Sequence, residues 1–163
     1  MRVQPSRVAD AQMRALGAIP QSLAFSDVYQ GLRSGVVDGT ENPASNFYTQ
    51  KMYEVQKHLT LSNHGYLGYA VIVNKKFWSN LPADLRSKLE QALVLATNYA
   101  NAIADQENQE ALDAIRKTGK TTLYELTAQE KLEWQKAMNP VYLEAEQRIG
   151  RDLVQNLRRL SQG

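Results

Sequence analysis

From Pro82 to about Lys117, Leu85, Leu89, Ala92, Ala96, Tyr99 and Ile103 recur at intervals of three and four. That spacing writes one apolar stripe along a helix, with Pro82 at its start. A continuous helix of that extent is roughly 50 Å long, at a rise of about 1.5 Å per residue, and exceeds the width of a small domain. The chain has 163 residues, enough for one ordinary core. The helix is therefore expected to bridge two bodies, and the rest of the fold has to be arranged around it.

The flanking sequence alternates strand and helix signals in an α/β manner, with no internal repeat. Residues 1–6 read as a short strand stopped by Pro5, and Ser6 caps a helix that runs to Leu16 and ends at Gly17. Ser22 to Phe25 read as a second strand, with Ser26 capping a helix that ends at Gly35. Pro43 suits the first position of a third helix reaching about Lys57, and Leu59 to Asn74 carry the β-branched and aromatic bulk of a strand. Beyond the long helix come a strand at Thr121–Leu126 and a capping box from Thr127 to Glu130. Pro140 then breaks the chain, and helices follow near Tyr142–Ile149 and Arg151–Leu160. A strand opening at residue 1 leads to the expectation that an upstream portion precedes it; no export signal is visible at Met1–Ser6.

Composition removes several functions. A formal net charge of +2 leaves no field to hold a nucleic-acid backbone. The arginines near the end (Arg148, Arg151, Arg158, Arg159) are interrupted by Asp152 and preceded by Glu146, as on a solvated helix face. No cysteine is present, which removes disulfides and thiolate chemistry; this suits an oxidising periplasm but is shared by many cytosolic chains. His58 and His64 do not have metal-ligand spacing, and neither GxSxG nor GxGxxG occurs. Gly119-Lys120-Thr121 copies the end of a phosphate loop, but Ala114 stands where its first glycine belongs, and the element order is reversed. It reads as a helix stop.

What remains is polar and aromatic chemistry where strands end and helices begin, the usual place for ligands in α/β folds. Arg2 lies in the first strand, Phe25 ends the second, and Glu41-Asn42 precede the Pro43 helix. A guanidinium fork, an amide and an aromatic wall are the parts of a carboxylate receptor. On the residues alone, a surface arginine and a helix-capping asparagine remain the plainer reading.

Several spaced motifs carry a resemblance. They are Met1-Arg2-Val3-Gln4-Pro5-Ser6, Leu16-Gly17-Ala18, Ala24-Phe25-Ser26-Asp27-Val28-Tyr29, Val36-Val37-Asp38-Gly39-Thr40-Glu41-Asn42-Pro43, Tyr53-Glu54-Val55-Gln56-Lys57, Asn63-His64-Gly65-Tyr66 and Trp78-Ser79-Asn80-Leu81-Pro82. In this order they resemble the DctP branch of TRAP (tripartite, ATP-independent) transporter solute-binding proteins, across essentially the whole chain. The resemblance implies the C-terminal half of a periplasmic-binding-protein-like two-lobed clamp. The second lobe would comprise residues 1–65 and 118–163, with hinge strands and a spine helix at 66–117 partly belonging to the first lobe.

It also implies that Arg2 pairs with a ligand carboxylate, Asn42 hydrogen-bonds to it, and Phe25 packs on the ligand. Glu41 and His64 would join a polar network near the cleft. The implied function is extracytoplasmic capture of a C4-dicarboxylate (succinate, malate or fumarate) without cofactor or metal, and delivery to a membrane permease that draws on an ion gradient. Family members are about twice as long, so this chain is expected to expose an apolar face and to self-associate. The alternatives are a binding subunit for another organic anion (a sugar acid or keto acid), a small α/β enzyme, and a helical interaction module.

Overall fold

The computed structural model describes residues 1–160. The first sheet is small and built around Arg2–Val3 (β1). Ser6 follows with extended backbone and its hydroxyl accepts from the Ala9 amide (3.4 Å), opening α1 (Arg7–Ala15); Gly17, at φ 79°, turns the chain away. Gln21–Ser22 (β2) then pairs in parallel with β1, and Thr40 bridges Arg2 on the other side. β1 is therefore central and covered on both faces, so Arg2 is only 2% exposed.

Several boundaries differ from the sequence reading. The first strand is two residues long, and the second lies at Gln21–Ser22 instead of Ser22–Phe25, because Phe25–Asp27 coil into a 3-10 turn that leads into α2 (Val28–Ser34). Ser26 caps nothing; its hydroxyl bonds the neighbouring Asp27 carboxylate. Gly35 ends α2 at φ 75°, as expected. Pro43 keeps extended backbone and is the residue before α3 (Ala44–Thr49), not its first. That helix stops at Thr49 and does not reach Lys57: Lys51 adopts φ 54°, and a 3-10 turn at Met52–Glu54 takes over.

His58–Leu61 (β3) pairs in parallel with Thr122–Glu125 (β4), from His58 opposite Thr122 to Leu61 opposite Glu125. The strand expected to continue to Asn74 ends at Leu61. Residues 62–74 have strand-like composition but no strand partner among the described residues, and β-propensity expresses fit to a neighbouring pleated surface. The hinge strands expected at the start of 66–117 are accordingly not formed. Lys75–Asn80 (α4) was not anticipated; Asn74 caps it by accepting from the Phe77 amide at 3.0 Å.

Ala83–Thr118 (α5) is the long rod, 36 residues between Pro82 and Gly119 (φ 65°) and about 54 Å long. Its last turns bury Ala111, Leu112 and Ile115. Ile115 joins Val28, Leu32, Val37, Phe47 and Met52 in the core, with Leu59 of β3 and Leu123 of β4 packed against it. The capping box predicted at Thr127 is present and opens α6 (Ala128–Ala137). Pro140 falls in the first turn of α7 (Asn139–Ile149), and α8 is Arg151–Leu160. α7 packs between α1 and α8.

Candidate functional site

The pairing of β1 with both β2 and Thr40 carries the Arg2 side chain inward. The Arg2 backbone N–H donates to the Gly39 carbonyl at 2.7 Å, fixing the root of the side chain. At the other end, Nε (3.2 Å) and Nη2 (3.1 Å) both donate to the carbonyl of Leu23. The guanidinium carbon lies 5.9 Å from the Phe25 ring centroid, within cation–π range. Nη1 is buried and has no partner. Burial lowers the Arg2 pKa, and the nearby Glu41 carboxylate opposes that shift.

Glu41 and Asn42 follow Thr40 directly. Burial raises the Glu41 pKa, while His64, Arg2 and a hydrogen bond from the Gln4 backbone pull it down. Glu41 thus lies within electrostatic reach of both Arg2 and His64, which come from separate parts of the chain. His64 is held on several sides: its Nδ1 lies 2.8 Å from the Ser62 hydroxyl, its carbonyl accepts from Gln12 Nε2 of α1 (3.3 Å), and its ring centroid is 6.0 Å from that of Trp134 on α6. Asn42 donates from Nδ2 to the Thr40 hydroxyl at 2.9 Å and approaches Met52 Sδ at 3.9 Å; its Oδ1 is buried without a partner.

Of the five residues singled out in the sequence, Arg2 lies against the Phe25 ring, Glu41 lies near both Arg2 and His64, and Asn42 contacts Thr40 and Met52. Sequence reasoning missed Leu23, Thr40 and Met52. Leu23 contributes only a backbone carbonyl, which no side-chain pattern announces. Met52 reads as any core methionine, and Thr40 had no signal beyond its adjacency to Glu41-Asn42. An open concavity of about 420 Å³, lined by Tyr29, Thr49, Gln50, Lys51 and Glu54, shares no lining residue with the Arg2 cluster. Among the described residues, no group of three or more His, Asp or Glu could hold a metal ion. No helix among the described residues is long and apolar enough to cross a membrane.

Chemically, this is a pre-oriented guanidinium with two of its nitrogens committed to a carbonyl and the third left open. An incompletely paired buried cation is unfavourable, and an incoming carboxylate would relieve it. Residues 1–148 match the DctP family, described as bacterial extracellular solute-binding protein, family 7. The chain belongs to that family.

Membership points to binding and not to catalysis. The C4-dicarboxylate-binding periplasmic protein DctP of Rhodobacter capsulatus is 58% identical over 154 residues, covering 94% of this chain and 46% of that protein. A TRAP periplasmic solute-binding protein from Shewanella oneidensis, solved with bound succinate, superposes with a TM-score of 0.92 at 40% identity, over 94% of this chain and 50% of that one. Its counterpart from Sulfurospirillum deleyianum DSM 6946, also with succinate, gives 0.90 at 45% identity, over 96% and 52%. The α/β, periplasmic-binding-protein-like fold expected from the resemblance is therefore present, and the chain spans about half the length of the relatives it matches.

Proposed function

We propose that this chain forms one wall of the ligand cleft in an extracytoplasmic receptor that captures a C4-dicarboxylate and hands it to a TRAP permease. The observation that carries the reading is Arg2: 2% exposed, aimed by the Leu23 carbonyl, covered by Phe25, and left with an unpaired Nη1. A ligand carboxylate that accepts from Nη1 neutralises a buried charge and so favours whichever arrangement of the protein encloses it. The succinate-bound relatives support the choice of ligand class.

Residues 1–65 and 118–163 then constitute one lobe. Residues 66–117 supply the spine and a segment that pairs outside this chain, and the exposed apolar residues along it either meet the remainder of the cleft or mediate self-association. Delivery to the permease would follow closure of the clamp and draw on an ion gradient. The test is calorimetric titration of the full-length protein with succinate, before and after Arg2→Ala. Loss of affinity by at least about a hundredfold is expected, because the variant removes a charge-assisted contact. Arg2→Lys should recover only part of it, since an ammonium cannot reproduce the fork. Unchanged affinity in Arg2→Ala would remove the site assignment.

A further inference from the structure

The turn that carries Glu41 and Asn42 is fastened at both ends. At its start Thr40 bridges Arg2 of β1. At its end the chain enters α3, whose cap, Pro43, has no side-chain acceptor to offer the first amides of the helix. The acceptor comes from α5 instead: the Ser45 N–H donates to Asn108 Oδ1 at 3.1 Å, across 63 residues of sequence. Asn108 is held in turn by its own helix, because its Nδ2 donates to the Ala104 carbonyl at 2.8 Å. One edge of an amide accepts and the other donates, so the two bonds agree on its orientation.

Asn108 stands where α5 changes character. Beyond it Ala111, Leu112 and Ile115 are buried; before it Leu85, Leu89, Leu95 and Tyr99 are exposed. Phe47 of α3 and Ile115 of α5 share the core, but apolar burial is non-directional and does not by itself set how far along the rod α3 sits. The Ser45–Asn108 bond does. Pro43 fixes its own φ, so few soft dihedrals separate Asn42 from that bond.

We propose that Asn108 is a positioning residue for ligand capture: acting through the Ser45 amide, it ties the turn from Thr40 to Pro43 to the long helix and so keeps that turn, and its bridge to Arg2, in the geometry that receives a carboxylate. This rests on the reading of Arg2 as the carboxylate anchor. The part of Asn108 that matters is its oxygen, since only an acceptor can hold the Ser45 N–H; the bond to Ala104 serves to aim it.

The experiment is calorimetric titration of the full-length protein with succinate, together with amide hydrogen exchange at Ser45. Asn108→Leu, which removes the acceptor, is expected to weaken succinate binding about tenfold, the scale of one lost hydrogen bond. Asn108→Asp keeps an oxygen at the Ser45 amide and gives up only the bond to Ala104, so it should bind within about twofold of the unmodified protein. The Ser45 amide should be protected from exchange in the unmodified protein and in Asn108→Asp, and unprotected in Asn108→Leu. Unchanged affinity in Asn108→Leu, even with a lowered unfolding midpoint, would reduce Asn108 to a stabilising contact and overturn the inference; so would equal weakening by both substitutions. An unprotected Ser45 amide in the unmodified protein would overturn it without any variant. Each of these results leaves the Arg2 reading intact, whereas failure of the unmodified protein to bind succinate would overturn both.

Discussion

The two ends of α5 obey the same hydrophobic spacing and meet opposite fates. Near its C-terminus, Ala111, Leu112 and Ile115 are buried against α3, β3 and β4, and Ile115 has no exposed surface. Near its start, Leu85, Leu89, Val94, Leu95 and Tyr99 all face outward, with Leu95 71% exposed. The segment leading into the helix behaves likewise: Tyr66 is 95% and Ile72 89% exposed. Amphipathic spacing specifies that a stripe wants a partner, not that the partner lies in the same chain. Exposed apolar side chains in this number mark an interaction surface.

The largest effect that separates the two ends is expected from matched truncations. Ile115→Ala should destabilise the chain by about 3 kcal/mol, through lost burial and a residual cavity, whereas Leu95→Ala should stay within about 0.5 kcal/mol. Urea denaturation measures both. The comparison sharpens in the full-length protein. If the open end is covered there, Leu95→Ala should cost about 2 kcal/mol or more, while the Ile115→Ala effect stays put. Equal, small effects of Leu95→Ala in both backgrounds would mean that Leu95 is never covered.

A second, intermediate effect concerns association. The 163-residue chain should sediment as more than a monomer and bind an apolar dye, through exposed side chains that include Tyr69, Val71, Ile72 and Leu95. Ile72→Lys with Leu95→Lys should shift it toward monomer without loss of helix content, because neither residue belongs to the core. A monodisperse, dye-silent chain before mutation would remove the association reading.

The same contrast explains what was legible in the sequence. Elements set by local chemistry read well: the Ser6 cap, the glycine stops at 17 and 35, the Thr127–Glu130 box, and the extent of α5. Elements set by a distant neighbour did not. The strand composition of residues 66–73 was clear, yet without a strand alongside it no ladder forms. The break at Lys51 depends on a left-handed backbone at a non-glycine residue, which sequence pattern does not announce. In the site, side chains with evident chemistry (Arg2, Glu41, Asn42, His64) were named from motif positions. Contributions made through a backbone carbonyl or a core sulfur, from Leu23 and Met52, became visible only once the chain was folded.

The smallest expected effect asks what the packed region gives up to hold its charges. Burial raises the Glu41 pKa above its unfolded value, with His64, Arg2 and the Gln4 amide offsetting only part of the shift. A carboxyl group raised on folding favours the native state while it is protonated, and that contribution is lost as pH rises through its folded pKa. At neutral pH Glu41 is therefore a net cost, and Glu41→Gln should make the chain modestly more stable there. Below the ordinary glutamate range both proteins carry a neutral group at position 41, so the difference should shrink. Denaturant midpoints at neutral and mildly acidic pH decide it. A variant less stable at neutral pH would mean that attraction to Arg2 and His64 outweighs burial, so that the Arg2 cluster, unlike the apolar face of α5, is already complete without anything added.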